Sequence, residues 1–316
     1  AKEELMVKSL AYRIKQTGRL EKIGDSLIKT VPKDDIKTPP KPLLGIICFP
    51  VDKYVAQLYN LNVNKGVVVA IVKENSSAEE IGLQPGDLLV SIKNSKISNM
   101  NRFQAISSSL KIGEQIPIVI KRTDQTMAFN AKIGEIPLKI PIIMIDAQEV
   151  NASTNGKLIL VTQGLLNFAK SDDEIAAVLS HELAHAVRGH VAKAQGGQIL
   201  TLIAALSLGI VAESNAPGSG NSVIRGVGDI GNIFNASYSR DLEREADYFG
   251  TKFFYYAGYN VETFATLEER FAIEIPATMI QHYLSTHPSS PERLARVRKI
   301  IEELKTSNPK ETKQKE

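Results

Sequence analysis

The order of apolar and polar positions divides the chain into three stretches. Over residues 1–38 the apolar residues fall at helical spacing. Leu10 and Ile14 follow one register, and Leu20, Ile23 and Leu27 follow another after Gly18, which predicts two short helices. The pattern stops at residues 30–42, where 4 prolines and 5 lysines or aspartates in 13 residues mark a linker. From Leu43 to Glu135 the spacing turns to that of strands. Residues 66–72, 88–92 and 116–122 are short, apolar and β-branched, with a helix predicted near 101–110. From Ile136 the texture changes again. Strands are predicted at 138–146 and 157–162, with a turn at 151–156. Helices follow at 171–190, 239–257, 261–271 and 285–301. The expected class is α+β, with a mainly β part at 39–135, an α+β part at 136–305, a helical segment at 1–38 that packs on the latter, and a disordered tail at 306–316.

Composition narrows what such a chain does. With 43% hydrophobic and 23% charged residues in 316, it is globular rather than disordered. A net charge of +3 without a basic stripe argues against nucleic acid. Cys48 is the only cysteine, so an internal disulfide and a cysteine-based zinc site are both excluded. A single cysteine suits the cytosol and equally an envelope protein. The chain starts at Ala1 with no signal-like segment, as expected after removal of a leader or trimming. Residues 194–212 carry no charge, and the apolar run 199–212 has 14 residues, short of the roughly 20 that span a bilayer. A buried or lid-like helix is expected there, with membrane contact as the alternative.

The chemistry concentrates at His181-Glu182-Leu183-Ala184-His185. Ser171 and Glu174 have the form of a capping box that opens the helix carrying it. Residues four apart share a helix face, so His181 and His185 can hold one zinc ion with Glu182 beside them. A third ligand is needed. The Gly and His continuation of one zincin subclass is absent, because those positions hold Arg188 and Val191. On a continued helix His190 lies nearly opposite His181 and is not expected to bind the metal. The helix at 239–257 offers two acidic pairs at a spacing of four, Glu243 with Asp247 and Asp241 with Glu245. The first is preferred, as ligand and as acceptor for the outer N–H of a ligand histidine. A G-x-G-x-x-G at 226–231 lacks the βαβ context that a dinucleotide site requires.

Two resemblances add to this. Residues 76–92, a small helix followed by Gly-Leu-x-Pro-Gly-Asp and an apolar strand, resemble a PDZ domain of the protease-associated kind. Pro85 presets φ and Gly86 permits its reversal, so the turn has a physical reason. Leu44, Gly45 and Ile46 fall at the carboxylate-binding loop of such domains, which implies a groove for a peptide or its C-terminus. The second resemblance covers residues 136–301. His181–His185, then Ser239-Arg240-x-x-Glu243-x-x-Ala246-Asp247, then His287-Pro288 with Arg293 is similar to zinc metallopeptidases of family M48.

That resemblance implies one Zn2+ per chain on His181, His185 and Glu243, Glu182 as general base, and Asp247 behind a ligand histidine. It also implies that His287 stabilises an oxyanion or gates the open metal position, with Arg293 supporting it. The implied activity is endopeptidase cleavage of protein or peptide substrates in a bacterial periplasm or cell envelope, in protein quality control. The alternatives are a latent protease acting as a PDZ-based binding or chaperone-like protein, and a membrane-associated scaffold that uses 199–212.

Overall fold

The computed structural model describes residues 1–190, 238–274, 287 and 291–307. The apolar run 199–212, the glycine motif at 226–231 and most of the expected tail lie outside them.

Helix α1 (Lys2–Ile28) is one helix, not two. A lone glycine inside a helix costs about 1 kcal/mol relative to alanine, and burial offsets it. Leu10, Leu20, Ile23 and Leu27 are all buried. The chain forms two compact units, and α1 divides between them. Residues 1–22 group with 38–139, and residues 23–37 group with the unit that begins at Ile140. The expected assignment of all of 1–38 to the second unit is therefore corrected for the first 22 residues.

The first unit contains a six-stranded sheet. After β1 (Lys41–Leu43) come β2 (Ile46–Pro50), helix α2 (Lys53–Leu58), β3 (Val67–Val72), helix α3 (Ser77–Glu80), β4 (Leu88–Ile92), β5 (Ser95–Lys96), helix α4 (Met100–Ser108), β6 (Gln115–Arg122), β7 (Gln125–Lys132) and β8 (Gly134–Ile136). The order is β2-β3-β4-β6-β7, with β5 on β4, and β1 pairs separately with β8. Strand β3 explains its unbroken apolar run. Val67 and Val69 face one core with Ile118 and Phe103, while Val68 and Ala70 face a second with Leu10 and Phe49. The Gly-Leu-x-Pro-Gly-Asp turn is held by the buried Asp87. Its carboxylate accepts from Gln84 N at 2.8 Å and from Arg122 Nε at 2.7 Å. Gly45 sits at φ +89 before the edge strand β2, and a Cβ there would lie 2.1 Å from that of Ser76.

The second unit carries the candidate site. Strands β9 (Ile142–Ile145), β10 (Ala152–Thr154) and β11 (Ile159–Thr162) form a sheet in the order β10-β11-β9. β11 is buried along its length, antiparallel to β10 and parallel to β9. Helices α5 (Gln163–Phe168), α6 (Asp172–Arg188), α7 (Arg240–Tyr256), α8 (Glu262–Glu274) and α9 (Pro291–Ser307) complete it. The expected tail from 306 begins two residues inside α9.

Candidate metal centre

Helix α6 starts where the capping box places it. Ser171 Oγ accepts from Glu174 N at 3.2 Å. The return bond reaches one residue further back, where Lys170 N donates to Glu174 Oε2 at 2.7 Å. Arg270 of α8 grips the other oxygen of Glu174. From Glu174 to His185 the helix is buried without interruption, so its two histidines and Glu182 lie in the interior.

Helix α7 is capped by Ser239 and buries Glu243, Ala246, Asp247, Gly250 and Phe254 along one face. Gly250 allows α6 and α7 to meet closely, because a Cβ there would lie 3.0 Å from His181 Cα. Asp247 and Glu243, one and two turns before Gly250 on that face, are thereby brought against the α6 histidines.

His181, His185, Glu243 and His287 converge, with one donor atom from each inside a group whose members lie within 4.8 Å of one another. His185 Nε2 is 3.1 Å from His181 Nε2 and 3.2 Å from Glu243 Oε1. His287 Nδ1 is 2.9 Å from Glu243 Oε1 and 3.2 Å from His181 Nε2. His181 turns its outer nitrogen, Nδ1, to Asp247 Oδ1 at 3.2 Å. Arg293 holds Asp247 through Nε at 3.0 Å and Nη2 at 2.8 Å. It therefore supports His181 through Asp247, a link the sequence did not suggest. Glu182 is fully buried, with Oε1 3.1 Å from His287 Nε2.

The electrostatics are those of a cage that wants a cation. Burial works against an ionised Glu243, but hydrogen bonds from His181, His185 and His287 hold its carboxyl well below the usual range. Burial likewise disfavours a charged His181, yet Asp247 and Glu243 push it up to about 10. Burial lowers His185 to about 4. Burial opposes the charge on Glu182, which the surrounding histidines nonetheless keep below its ordinary value. A divalent cation among the four donors would give a partner to Glu243 Oε2, which is buried and has no hydrogen-bond partner among the described residues. Two imidazoles and a carboxylate on rigid helices fit such an ion.

The rival acidic pair does not join the cluster. The Asp241 side chain is 86% exposed and pairs with Arg244. Glu245 pairs with Arg188 and His190. Three neighbours of the site had no signal strong enough to be found in the sequence. Tyr238 stacks on His185 with ring centroids 3.8 Å apart and donates to Thr154 O of β10 at 3.3 Å. Glu268 lies buried 3.4 Å from Arg293, and burial pushes its carboxyl pKa up. His190 contacts His185. A glycine at 189, able to stop the helix, was the available hint for the last.

A buried pair of histidines one helical turn apart, joined by a glutamate from a second helix and flanked by a buried glutamate, defines a metallopeptidase type of centre. The chain belongs to peptidase family M48, whose family model matches residues 119–301, and a PDZ domain model matches residues 42–133. Where the two overlap, β6 and β7 belong to the sheet of the first unit. The chain is 33% identical over 159 residues to the mitochondrial metalloendopeptidase OMA1 of Arabidopsis thaliana, covering 48% of this chain and 30% of that one. It is 29% identical over 171 residues to a putative beta-barrel assembly-enhancing protease of Vibrio cholerae, covering 52% and 35%. It is 30% identical over 200 residues to the metalloprotease YcaL of Escherichia coli, covering 63% and 73%. The first two relatives are thus much longer than the stretch they share with this chain. Among the described residues no helix is long and apolar enough to cross a membrane.

Proposed function

We propose that the protein is a zinc-dependent endopeptidase whose PDZ domain recognises a peptide or its C-terminus. The observation that carries the reading is the convergence of His181, His185, Glu243 and His287 beside the buried Glu182, in a chain of family M48. Imidazole and carboxylate donors on fixed elements suit zinc. When bound, zinc supplies a Lewis acid that acidifies a water and polarises the scissile carbonyl. Glu182 takes a proton from the attacking water as its oxygen bonds to the carbonyl carbon, and delivers it to the leaving nitrogen as the C–N bond breaks. Asp247, held by Arg293, fixes the tautomer of His181 with its lone pair on Nε2. Among the described residues strand β10 ends its sheet, which makes it the candidate strand for pairing with the backbone of an extended substrate.

The PDZ part of the reading is supported by the placement of β2. Among the described residues it lies at the end of its sheet, and it begins at Ile46, directly after Leu44 and Gly45 of the expected carboxylate loop. A cell-envelope setting and a role in protein quality control belong to the same proposal.

Zinc analysis is expected to find about one ion per chain, and a chelator is expected to stop cleavage of an unfolded protein, with zinc restoring it. Cleavage indifferent to the chelator overturns the reading. A second reading, a protease held latent, is favoured by His287, which joins the converging donors with its Nδ1 2.9 Å from Glu243 Oε1, and so would compete with a substrate for a bound metal. His287→Ala is expected to raise cleavage if that residue gates the metal. A loss of roughly 100-fold in kcat assigns it instead to the oxyanion.

A further inference from the structure

Helix α6 ends in a way that turns His190 back onto a ligand histidine. Gly189 adopts φ +72, which stops the helix after Arg188. His190 N then donates to His185 O at 3.0 Å. The reversal brings the two rings edge to face, with centroids 5.0 Å apart. Nδ1 of His190 lies 3.1 Å from Nδ1 of His185, and its Nε2 lies 3.1 Å from Glu245 Oε2. Glu245 is itself held, because Arg188 Nε donates to Oε1 at 2.6 Å. Arg188 is anchored in turn by Asp35 at 2.6 Å and by packing of its guanidinium 4.2 Å over Phe249.

These contacts determine where the protons sit. A carboxylate only accepts, so His190 Nε2 carries the hydrogen that faces Glu245. In the neutral ring, His190 Nδ1 is then an acceptor. The hydrogen in the Nδ1–Nδ1 contact must therefore belong to His185. That leaves the lone pair of His185 on Nε2, the atom that faces Glu243 and His181. His181 reaches the same state by a shorter route, through Asp247 directly. The two histidines thus have unequal support, one from a carboxylate and one from a carboxylate acting through an imidazole.

We propose that His190, backed by Glu245 and Arg188, is the positioning residue for His185, fixing its tautomer and ring orientation so that Nε2 is presented to the metal. The proposal rests on the zinc reading of the site and adds a partner to it. It predicts a difference between ring shape and ring chemistry at position 190. His190→Phe keeps the edge-to-face packing and loses the acceptor. His190→Gln loses the ring and keeps a side-chain oxygen that can accept.

Zinc dissociation constants measured by chelator competition on the full chain test this, with the absorption spectrum of the Co2+-substituted protein as a second readout. His190→Phe is expected to weaken zinc by about 10–100-fold and to shift the Co2+ bands, with the metal-free thermal midpoint unchanged. His190→Gln is expected to retain most of the wild-type affinity. Equal weakening in both variants, or wild-type affinity in His190→Phe, overturns the proposal. If His190→Phe lowers the metal-free midpoint, Glu245→Ala carries the test. Its side chain is 35% exposed, and its removal is expected to weaken zinc about tenfold; no weakening overturns the proposal. A wild-type chain that binds no zinc overturns the zinc reading itself, so the two failures are distinguishable.

Discussion

Glu182→Gln is expected to keep about one zinc per chain and to lose peptide-bond cleavage, with kcat lower by roughly 100- to 10,000-fold. Both parts follow from where Glu182 sits. It lies on α6 between the two histidines in sequence, yet its oxygens are not among the four donors that converge. They are buried, and neither makes a hydrogen bond among the described residues that ties α6 to a neighbouring helix. His287 Nε2 lies 3.1 Å from Oε1. Glutamine fills the same volume and leaves His181, His185 and Glu243 untouched. It cannot take a proton at neutral pH, and a base is what hydrolysis requires of this position. Metal analysis and cleavage of an unfolded protein, run on the same preparations, separate the outcomes. Equal cleavage by the variant would remove Glu182 from the chemistry. Loss of zinc in the variant would make it part of the ligand set instead.

What the sequence could disclose depended on how local each feature is. Helix α6 was legible because its start is a capping residue and its buried face repeats at fixed spacing, and both signals lie within one helix. The same holds for β3, whose unbroken valines require cover on both faces. The prediction failed where tertiary contact decides. Gly18 suggests a break, but α1 continues through it, because residues before and after it are buried. The division of α1 at Lys22 depends on which unit each half packs against, and no local pattern records that.

His190 shows the same limit inside the site. Continued at about 100° per residue, the helix carries it away from His181, which is why it is not expected in the ligand set. The helix does not continue, however. Gly189 reverses the chain, and a residue expected on the far side arrives against His185. Arg293 illustrates a related point. The family resemblance implies that it supports His287, and what no local pattern records is that its guanidinium also holds Asp247 on another helix.

Glu243→Ala is expected to abolish tight zinc binding and, with it, cleavage, while Glu245→Ala is expected to weaken zinc only about tenfold. The two residues lie on one helix, two apart, and so about 200° apart around its axis. The apolar pattern of α7 decides which is inward. Ala246, Gly250, Phe253 and Phe254 are buried, and Glu243 with Asp247 continues that face toward the helix start. Gly250 then lets this face approach α6 closely enough for Glu243 Oε1 to stand 3.2 Å from His185 Nε2. Removing the Glu243 carboxylate takes away one of the four converging donors, and the only negative charge among them. Beside His181 and His185, His287 alone would remain as a third donor. Removing Glu245 leaves every donor in place and loosens only the chain that reaches His185 through His190. Zinc dissociation constants for the two variants, measured by chelator competition, therefore discriminate the ligand from its support. The reverse order, with Glu245→Ala losing the metal and Glu243→Ala keeping it, would assign the third ligand to the other face of the helix.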